Sequence, residues 1–427
     1  MSRNAPPAVI VMLAAALCVM LVAGGCGPSH KEPPEVARAR ETLDDAWSQG
    51  GALVTLSLSL FAENPAVPEA RAKVLEALDS PSPAVRLEAA RAMAAWKDPG
   101  TADRFVALLE DDSPLVPLVA ARALAQLGRA DGRDRLTTAL RGADGALQVE
   151  VCEALANIGD ETCLAEAARD VYDRNAEKSA AAAAVLAAYG EKGRDVLREA
   201  IRSPKRIYGA RRAPVITALG RVGDASDVDR VLPFTAYREN LLAVLDALSH
   251  LGGDKAREHL RSYLPLEDKP VARAAAATAL ARMGDLDPPV PEVLDELSRS
   301  PESAVRYRVA DGLREAPGDG RISALLARLA GDEDPAVRKA AVLALEGRTD
   351  AAALDGARAA FDAGRDAEQG PAYDAALMAL NLAGRIPGEE AEKLLVEALD
   401  SENWGYALEA ALGILEHNEM REARPAD

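Results

Sequence analysis

Few residues of this chain have types and spacing that could carry chemistry. Its four histidines are followed by Lys31, Leu251, Leu260 and Asn418, so the sequence contains neither a His-Glu pair nor an HExxH motif. The four cysteines are too far apart to form the close pairs of a zinc site. The GxxxxGK, GxGxxG and GxSxG motifs of phosphate loops, dinucleotide sites and nucleophile elbows are absent as well. We therefore expect no metal, no cofactor and no catalytic residues.

Cys26 is the one cysteine whose surroundings indicate a reaction of its thiol. Arg3 precedes 16 apolar residues, Ala8 to Ala23, and small residues lead from there to Cys26. A membrane-spanning helix needs about 20 residues, so we interpret the run as a cleaved export signal. The string LVAGGC, Leu21 to Cys26, resembles the signal box of bacterial lipoproteins, although Ala23 replaces the more usual leucine.

The lipoprotein resemblance implies both a modification and a location. It implies a signal peptide over residues 1–25 and a fatty acyl group, such as palmitate, on Cys26 as the first residue of the mature protein. It also implies a bacterial cell envelope. Gly27 stands where an aspartate retains enterobacterial lipoproteins at the inner membrane, so we expect the outer membrane, facing the periplasm. An uncleaved anchor and plain secretion are the alternatives.

Cys152 and Cys163 would then lie in a compartment that permits disulfides. The helix pattern places them on opposite arms of one hairpin, about seven residues before its turn and about three after it. A bridge between those positions would cross the helices out of register. We therefore expect two small buried thiols rather than a disulfide.

Composition favours an all-α protein without nucleic-acid partners. Apolar residues make up 49% of the 427 residues but aromatic residues only 4%, so the core must be aliphatic. Alanine and leucine dominate it, which favours closely packed helices over sheets. The formal net charge of -18 repels nucleic acid and anionic lipid surfaces. Attachment to a membrane would therefore depend on the lipid.

One short apolar string recurs along most of the chain. SPAVRLEAARAM at Ser82 to Met93 returns as DPAVRKAAVLAL at Asp334 to Leu345. Taking the last residue of each such string as its anchor gives eleven anchors spaced 29 to 35 residues apart. The anchors are Met93, Leu124, Leu155, Leu186, Leu219, Leu248, Leu280, Leu313, Leu345, Leu380 and Leu415. A fixed period of this length is the signature of a repeat protein.

Each period has the features of a helical hairpin. Ala or Val stands four residues before every anchor, where a small side chain lets a neighbouring helix approach. Gly stands four residues after seven of the anchors and can end the helix in a left-handed conformation. A second, shorter apolar helix fills the rest of each period. The period therefore predicts an α-solenoid whose core lies between neighbouring hairpins.

The pattern VRxxAaxAL resembles HEAT repeats, most closely the short-period subgroup that includes phycobilisome-lyase-like proteins. The resemblance implies a right-handed α-α superhelix of about eleven two-helix repeats over residues 69–418. Residues 26–50 are then a linker and first helix, 51–68 an N-terminal cap and 419–427 a polar tail. Some HEAT relatives bind a di-iron centre through His-Glu pairs, which are missing here.

One turn departs from the acidic background. Ile201 to Pro214, IRSPKRIYGARRAP, holds five cations and no acid. Either it docks a carboxylate-rich partner or anionic envelope polymer, or it is an ordinary solvated turn. The candidate partner-binding residues are Arg202, Lys205, Arg206, Tyr208, Arg211 and Arg212.

The sequence favours a lipid-anchored scaffold that binds another, unknown protein of the cell envelope and has no catalytic role. Protein binding is the usual use of such a solenoid. Two alternatives stay open: a HEAT-fold enzyme of bilin-lyase-like type, and a periplasmic holdase or sensor.

Overall fold

The computed structural model describes residues 32–202, 207 and 209–423, and within these ranges the secondary structure is entirely helical. These residues form 24 α-helices and four short 3-10 helices, Pro99–Thr101, Gly209–Arg211, Ala225–Asp227 and Leu232–Ala236. The odd-numbered helices, here called connecting helices, are α1 Pro34–Gln49, α3 Pro68–Ala77, α5 Ala102–Leu108, α7 Arg133–Leu140, α9 Leu164–Asp170, α11 Glu191–Arg202, α13 Val228–Val231, α15 Asp254–Arg261, α17 Val290–Leu297, α19 Gly320–Ala330, α21 Ala351–Gly364 and α23 Glu389–Leu399. The even-numbered anchor helices are α2 Ala52–Glu63, α4 Pro83–Ala95, α6 Val116–Gln126, α8 Gly145–Asn157, α10 Ala176–Ala188, α12 Arg212–Val222, α14 Arg238–Leu251, α16 Pro270–Arg282, α18 Ser303–Gly312, α20 Pro335–Leu345, α22 Pro371–Gly384 and α24 Trp404–Glu422.

The helices form two layers. Each anchor helix packs directly on the next anchor helix all along the chain, whereas close contact between successive connecting helices is concentrated at α19 and α21. In a curved double layer, the helices that touch continuously lie on the concave side, because its circumference is smaller. The anchor helices therefore form the inner layer of an α-α superhelix, as the repeat pattern predicts.

The anchors hold the stack together as expected. All eleven are 2% exposed or less, and the small residues four positions before them are 5% exposed or less. Five of the seven predicted capping glycines, among them Gly128 and Gly252, have φ between +57° and +73°. Gly223 and Gly384 serve close packing instead. A Cβ at Gly384 would lie 2.8 Å from the Cα of Gly413 on α24.

Ion pairs join successive hairpins on the outside of the superhelix. An arginine on one connecting helix repeatedly reaches a carboxylate at the start of the next, which adds a polar ladder to the apolar core. Four such pairs are Arg40 with Glu69 at 2.7 Å, Arg71 with Asp98 at 2.6 Å, Arg198 with Asp227 at 2.8 Å and Arg261 with Asp285 at 3.0 Å. Near the start of α4, the Arg86 guanidinium lies beside Asp111 in the turn of the next hairpin and holds the pKa of that carboxyl below its usual range.

The segment predicted as an N-terminal cap, residues 51–68, contains a further anchor helix. In α2, Phe61 is fully buried and lies 32 residues before Met93, which matches the repeat period. Ser57, four positions earlier, is 1% exposed. Together with α1, this helix makes a complete hairpin, so the described part of the chain holds twelve hairpins where the sequence pattern predicts about eleven.

The first and last hairpins pack against each other, which closes the superhelix. Both α1 and α2 contact α24. Arg38 forms an ion pair with Asp400, and Nη2 of Arg385 donates to the backbone oxygen of Glu63 at 2.7 Å. Closure by twelve hairpins requires each to turn the chain by about 30° on average.

The closed superhelix has two edges. All anchor helices run in the same direction, so they all begin at one edge, which we call the upper edge, and end at the other, the lower edge. Each connecting helix runs the opposite way within its hairpin. The first described helix, α1, therefore begins at the lower edge.

Candidate functional site

The structure covers only part of the sequence-predicted site. Cys26, Lys205, Arg206 and Tyr208 lie outside the described residues. Arg202 is the last residue of α11 and is exposed at the upper edge. The basic turn thus joins a connecting helix to an anchor helix, as the repeat pattern predicts.

Arg212 was expected on the exposed turn, but it lies inside the stack. Arg212 is 8% exposed. Its guanidinium lies over the rings of Phe234 and Tyr237, at 5.0 and 5.8 Å from the ring centroids. Cation-π contact with the next hairpin therefore holds Arg212 in the protein interior. This burial removes it from the predicted docking patch.

Arg211 is half-buried and binds the preceding hairpin. Its Nη1 donates to the backbone oxygen of Asp173 at 2.6 Å. Of the three described arginines of the basic turn, only Arg202 is exposed. The described residues therefore do not gather the predicted patch into one exposed cluster.

Cys152 and Cys163 form a disulfide, so the prediction of two free thiols is wrong. Their Cα atoms are 5.7 Å apart, within the usual range for a bridge. Both residues are buried, at 3% and 2% exposure, as predicted. The prediction treated residues on the two sides of the turn as spanning equal distances. A helix rises about 1.5 Å per residue, whereas an extended loop rises more than twice as much. The few residues between the turn and Cys163 therefore reach the same height as the larger number between Cys152 and the turn.

A buried polar cluster lies at the joint that closes the superhelix, and the sequence analysis missed it. Glu409 on α24 is 1% exposed, and its Oε1 accepts hydrogen bonds from Nδ2 of Asn381 at 2.7 Å and of Asn64 at 3.2 Å. Burial raises the pKa of the Glu409 carboxyl to about 7. Glu409 stands six residues before the anchor Leu415, and the corresponding position is Leu or Val in several earlier hairpins. A glutamate at this otherwise apolar repeat position is the feature of the sequence that could have indicated the cluster.

A cleft with a volume of about 350 Å³ separates α17 from α19. Its floor is apolar, with Leu294 and Ile322 among the lining residues. Charged side chains at its rim already pair with each other: Arg328 binds Asp295 at 3.0 Å, and Arg321 binds Asp319 at 3.1 Å. This internal pairing leaves the rim without convergent, unpaired titratable groups among those residues.

Two further findings concern the described part of the chain. No helix there is both long and apolar enough to cross a bilayer. No group of three or more His, Cys, Asp or Glu side chains is placed there to hold a metal ion.

Comparison with known proteins identifies the repeats. The family described as HEAT repeats matches residues 71–145, 102–174 and 290–375. Curated protein sequences give no significant match. Among solved structures, a mutant of Kap121p matches at 14% identity and a TM-score of 0.33, over 90% of this chain and 45% of that chain. This chain thus spans less than half the length of that protein.

A second solved structure is the complex of CpcE and CpcF of phycocyanin lyase from Nostoc sp. PCC7120. It matches at 18% identity and a TM-score of 0.21, over 73% of this chain and 92% of that chain. The matched repeat segments, the regular spacing of the anchors and the two helical layers agree with one another. The chain therefore contains HEAT repeats over residues 71–174 and 290–375, and its hairpins build an α-superhelix.

Proposed function

We propose that this protein is a lipid-anchored scaffold of the bacterial cell envelope, which binds another envelope protein through its HEAT superhelix. HEAT superhelices generally bind protein partners, because stacked hairpins offer a long, continuous surface. The strongly acidic charge of -18 makes nucleic acid an unfavourable partner.

The observation that carries the location is the buried Cys152–Cys163 disulfide. Disulfides persist in oxidising compartments such as the bacterial periplasm and are rare in cytosolic proteins. The string LVAGGC and the apolar run before it support the same compartment. Export and disulfide formation therefore agree, although each comes from a different part of the chain.

The proposed anchor also orients the superhelix. Seven residues lie between Cys26 and Pro34, the first residue of α1, and the eight steps along the backbone span at most about 29 Å when fully extended. Because α1 begins at the lower edge, the anchor would attach the superhelix to the membrane on that side. The upper edge is the side opposite the anchor and is the side that would meet other envelope proteins.

The anchor is tested by replacing the thiol that would carry the lipid. We expect Cys26→Ser to abolish labelling by a palmitate analogue and to move the protein out of the membrane fraction. Cys18→Ser is the matched control, since this cysteine lies within the signal peptide and its loss should leave labelling unchanged. Acyl labelling that persists in the Cys26→Ser variant would contradict the proposal.

A further inference from the structure

The exposed apolar side chains of the described residues share one edge. Five large ones stand out, between 38% and 51% exposed: Leu115, Leu147, Tyr237, Leu242 and Tyr307. Each lies immediately before an anchor helix or within its first five residues, on α6, α8, α14 or α18. All five therefore lie at the upper edge, where the anchor helices begin.

Four arginines without ion-pair partners lie at the same edge. They occupy four successive hairpins: Arg141 ends the α7 segment, Arg174 precedes α10, Arg202 ends α11 and Arg238 begins α14. All four are exposed, and none pairs with a carboxylate among the described residues. Acids outnumber cations 68 to 50 in this chain, so four neighbouring unpaired arginines are unexpected.

The carboxylates at this part of the edge have roles of their own. Asp144 directly precedes α8, and Glu177 and Glu239 are the second residues of α10 and α14, where the positive end of the helix dipole stabilises a negative charge. Asp170 and Asp173 share Lys178, at 3.1 and 3.5 Å. None of these five acids forms an ion pair with the four arginines among the described residues.

We propose that this part of the upper edge binds an acidic, amphipathic polypeptide segment of a partner protein. The binding surface, here called the arginine edge, comprises Arg141, Leu147, Arg174, Arg202, Tyr237 and Arg238. The arginines offer charge-assisted hydrogen bonds to carboxylates, and Leu147 and Tyr237 offer apolar contact at either end. The inference rests on the proposed function, because it names the surface and the partner chemistry of that scaffold.

The spacing of the anchor helices sets the size of the bound segment. Neighbouring packed helices lie about 8–10 Å apart, so the three steps from α8 to α14 span about 24–30 Å. An extended segment of about nine residues covers this distance, as does a helix of about 20 residues. The arginine edge lies on the side of the superhelix opposite to the start of α1, where the proposed tether attaches.

The test uses random 16-residue peptides displayed on phage and selected on the full chain in mild detergent. We expect the enriched peptides to combine acidic with apolar residues. A synthetic copy of the most enriched peptide should bind the Arg174→Ser/Arg202→Ser variant about three- to tenfold more weakly than the parent, and its binding should weaken as salt is raised.

The matched control is Arg104→Ser/Arg221→Ser, which removes two exposed arginines near the lower edge, at the start of α5 and the end of α12. It should bind the peptide within about twofold of the parent, because exposed charges elsewhere contribute little. Circular dichroism should be unchanged in both variants. Enrichment of basic peptides, or equal affinity of the parent and Arg174→Ser/Arg202→Ser, would overturn the proposal.

Two further measurements separate this inference from its alternatives. Vesicles of phosphatidylethanolamine and phosphatidylglycerol should not bind the protein through these arginines, and binding that is lost in Arg174→Ser/Arg202→Ser would assign the edge to a membrane instead. Peptide binding does not depend on acylation of Cys26. Failure of the anchor would therefore leave the peptide result intact, and failure of peptide binding would leave the acyl labelling intact.

Discussion

Glu409 illustrates how one buried carboxyl can control the joint between the two ends of the chain. It accepts hydrogen bonds from Asn64 of the first hairpin and Asn381 of the eleventh. Arg385 and Glu63 are the charged groups that act on it, and they oppose each other. Burial dominates, and it favours the neutral form of the carboxyl.

We expect the protein to lose stability as the pH rises toward neutrality because of this group. The pKa of Glu409 is raised from 4.5 to about 7 in the folded chain. The folded state therefore holds a proton that the unfolded state releases. The stabilisation is fully present below about pH 4.5 and is lost as the pH rises through about 7.

Glu409→Gln should remove this pH dependence. Its advantage in unfolding free energy over the parent should grow from about zero near pH 4.5 to about 2–3 kcal/mol at pH 8. Urea unfolding followed by circular dichroism across that range gives the comparison. Glu402→Gln, an exposed residue near the same joint, is the control and should follow the parent. A parallel pH profile for the parent and Glu409→Gln would refute the assignment.

Single residues also mark the limits of sequence-based prediction. The burial of Cys152 and Cys163 followed from the helix pattern, but their pairing depended on the path of the loop between them, which the repeat does not encode. Arg212 was grouped with its basic neighbours because they adjoin in sequence. Its direction is set by Phe234 and Tyr237, which belong to the following hairpin.

The sequence predicted the anchor helices correctly where the repeat is regular and missed the one where it is not. All eleven anchors lie on helices and are buried, because small residues at a constant offset specify the packed face. The additional anchor helix, α2, which is the first along the described part of the chain, was not identified from the repeat pattern. Its sequence LVTLSLSLF alternates like a strand and carries Ser57 where the other copies carry Ala or Val.

Close approach of α22 and α24 predicts the effect of a single methyl group. A Cβ at Gly384 would lie 2.8 Å from the Gly413 backbone, so Gly384→Ala should force the last hairpin away from its neighbour. We expect a loss of about 1–3 kcal/mol in unfolding free energy, which thermal and urea unfolding can measure.

Gly318→Ala is the matched control for this substitution. A Cβ at Gly318 meets nothing within 4 Å, so its effect should stay within about 0.5 kcal/mol. If Gly384→Ala proved as stable as Gly318→Ala, α22 and α24 would not pack as closely as described.

Closure of the whole molecule was beyond the reach of the local pattern. Each repeat specifies contact with its neighbours, but the angle between hairpins is the sum of many small packing choices. Whether twelve such angles bring α1 against α24 cannot be read from any one period. The sequence therefore predicts a superhelix without indicating that its ends meet.

The arginine edge shows the same limit at the scale of the molecule. The sequence indicated one basic turn, because several cations adjoin there. Arg141, Arg174, Arg202 and Arg238 are separated by about one repeat period each, and folding alone places them on successive hairpins. In the sequence each of these arginines is an isolated charged residue, and only the folded superhelix places them side by side.

The central claim is that this scaffold binds its partner at the upper edge, and photo-crosslinking in the native envelope tests it most directly. Benzoylphenylalanine at Tyr237 keeps an aromatic ring at the exposed upper edge, and the same residue at exposed Gln126 samples the lower edge. The account predicts an adduct from position 237 that maps to an acidic segment of one envelope protein and is lost in Arg174→Ser/Arg202→Ser, with none from position 126. Adducts from position 126 alone, or equally from both positions, would contradict it.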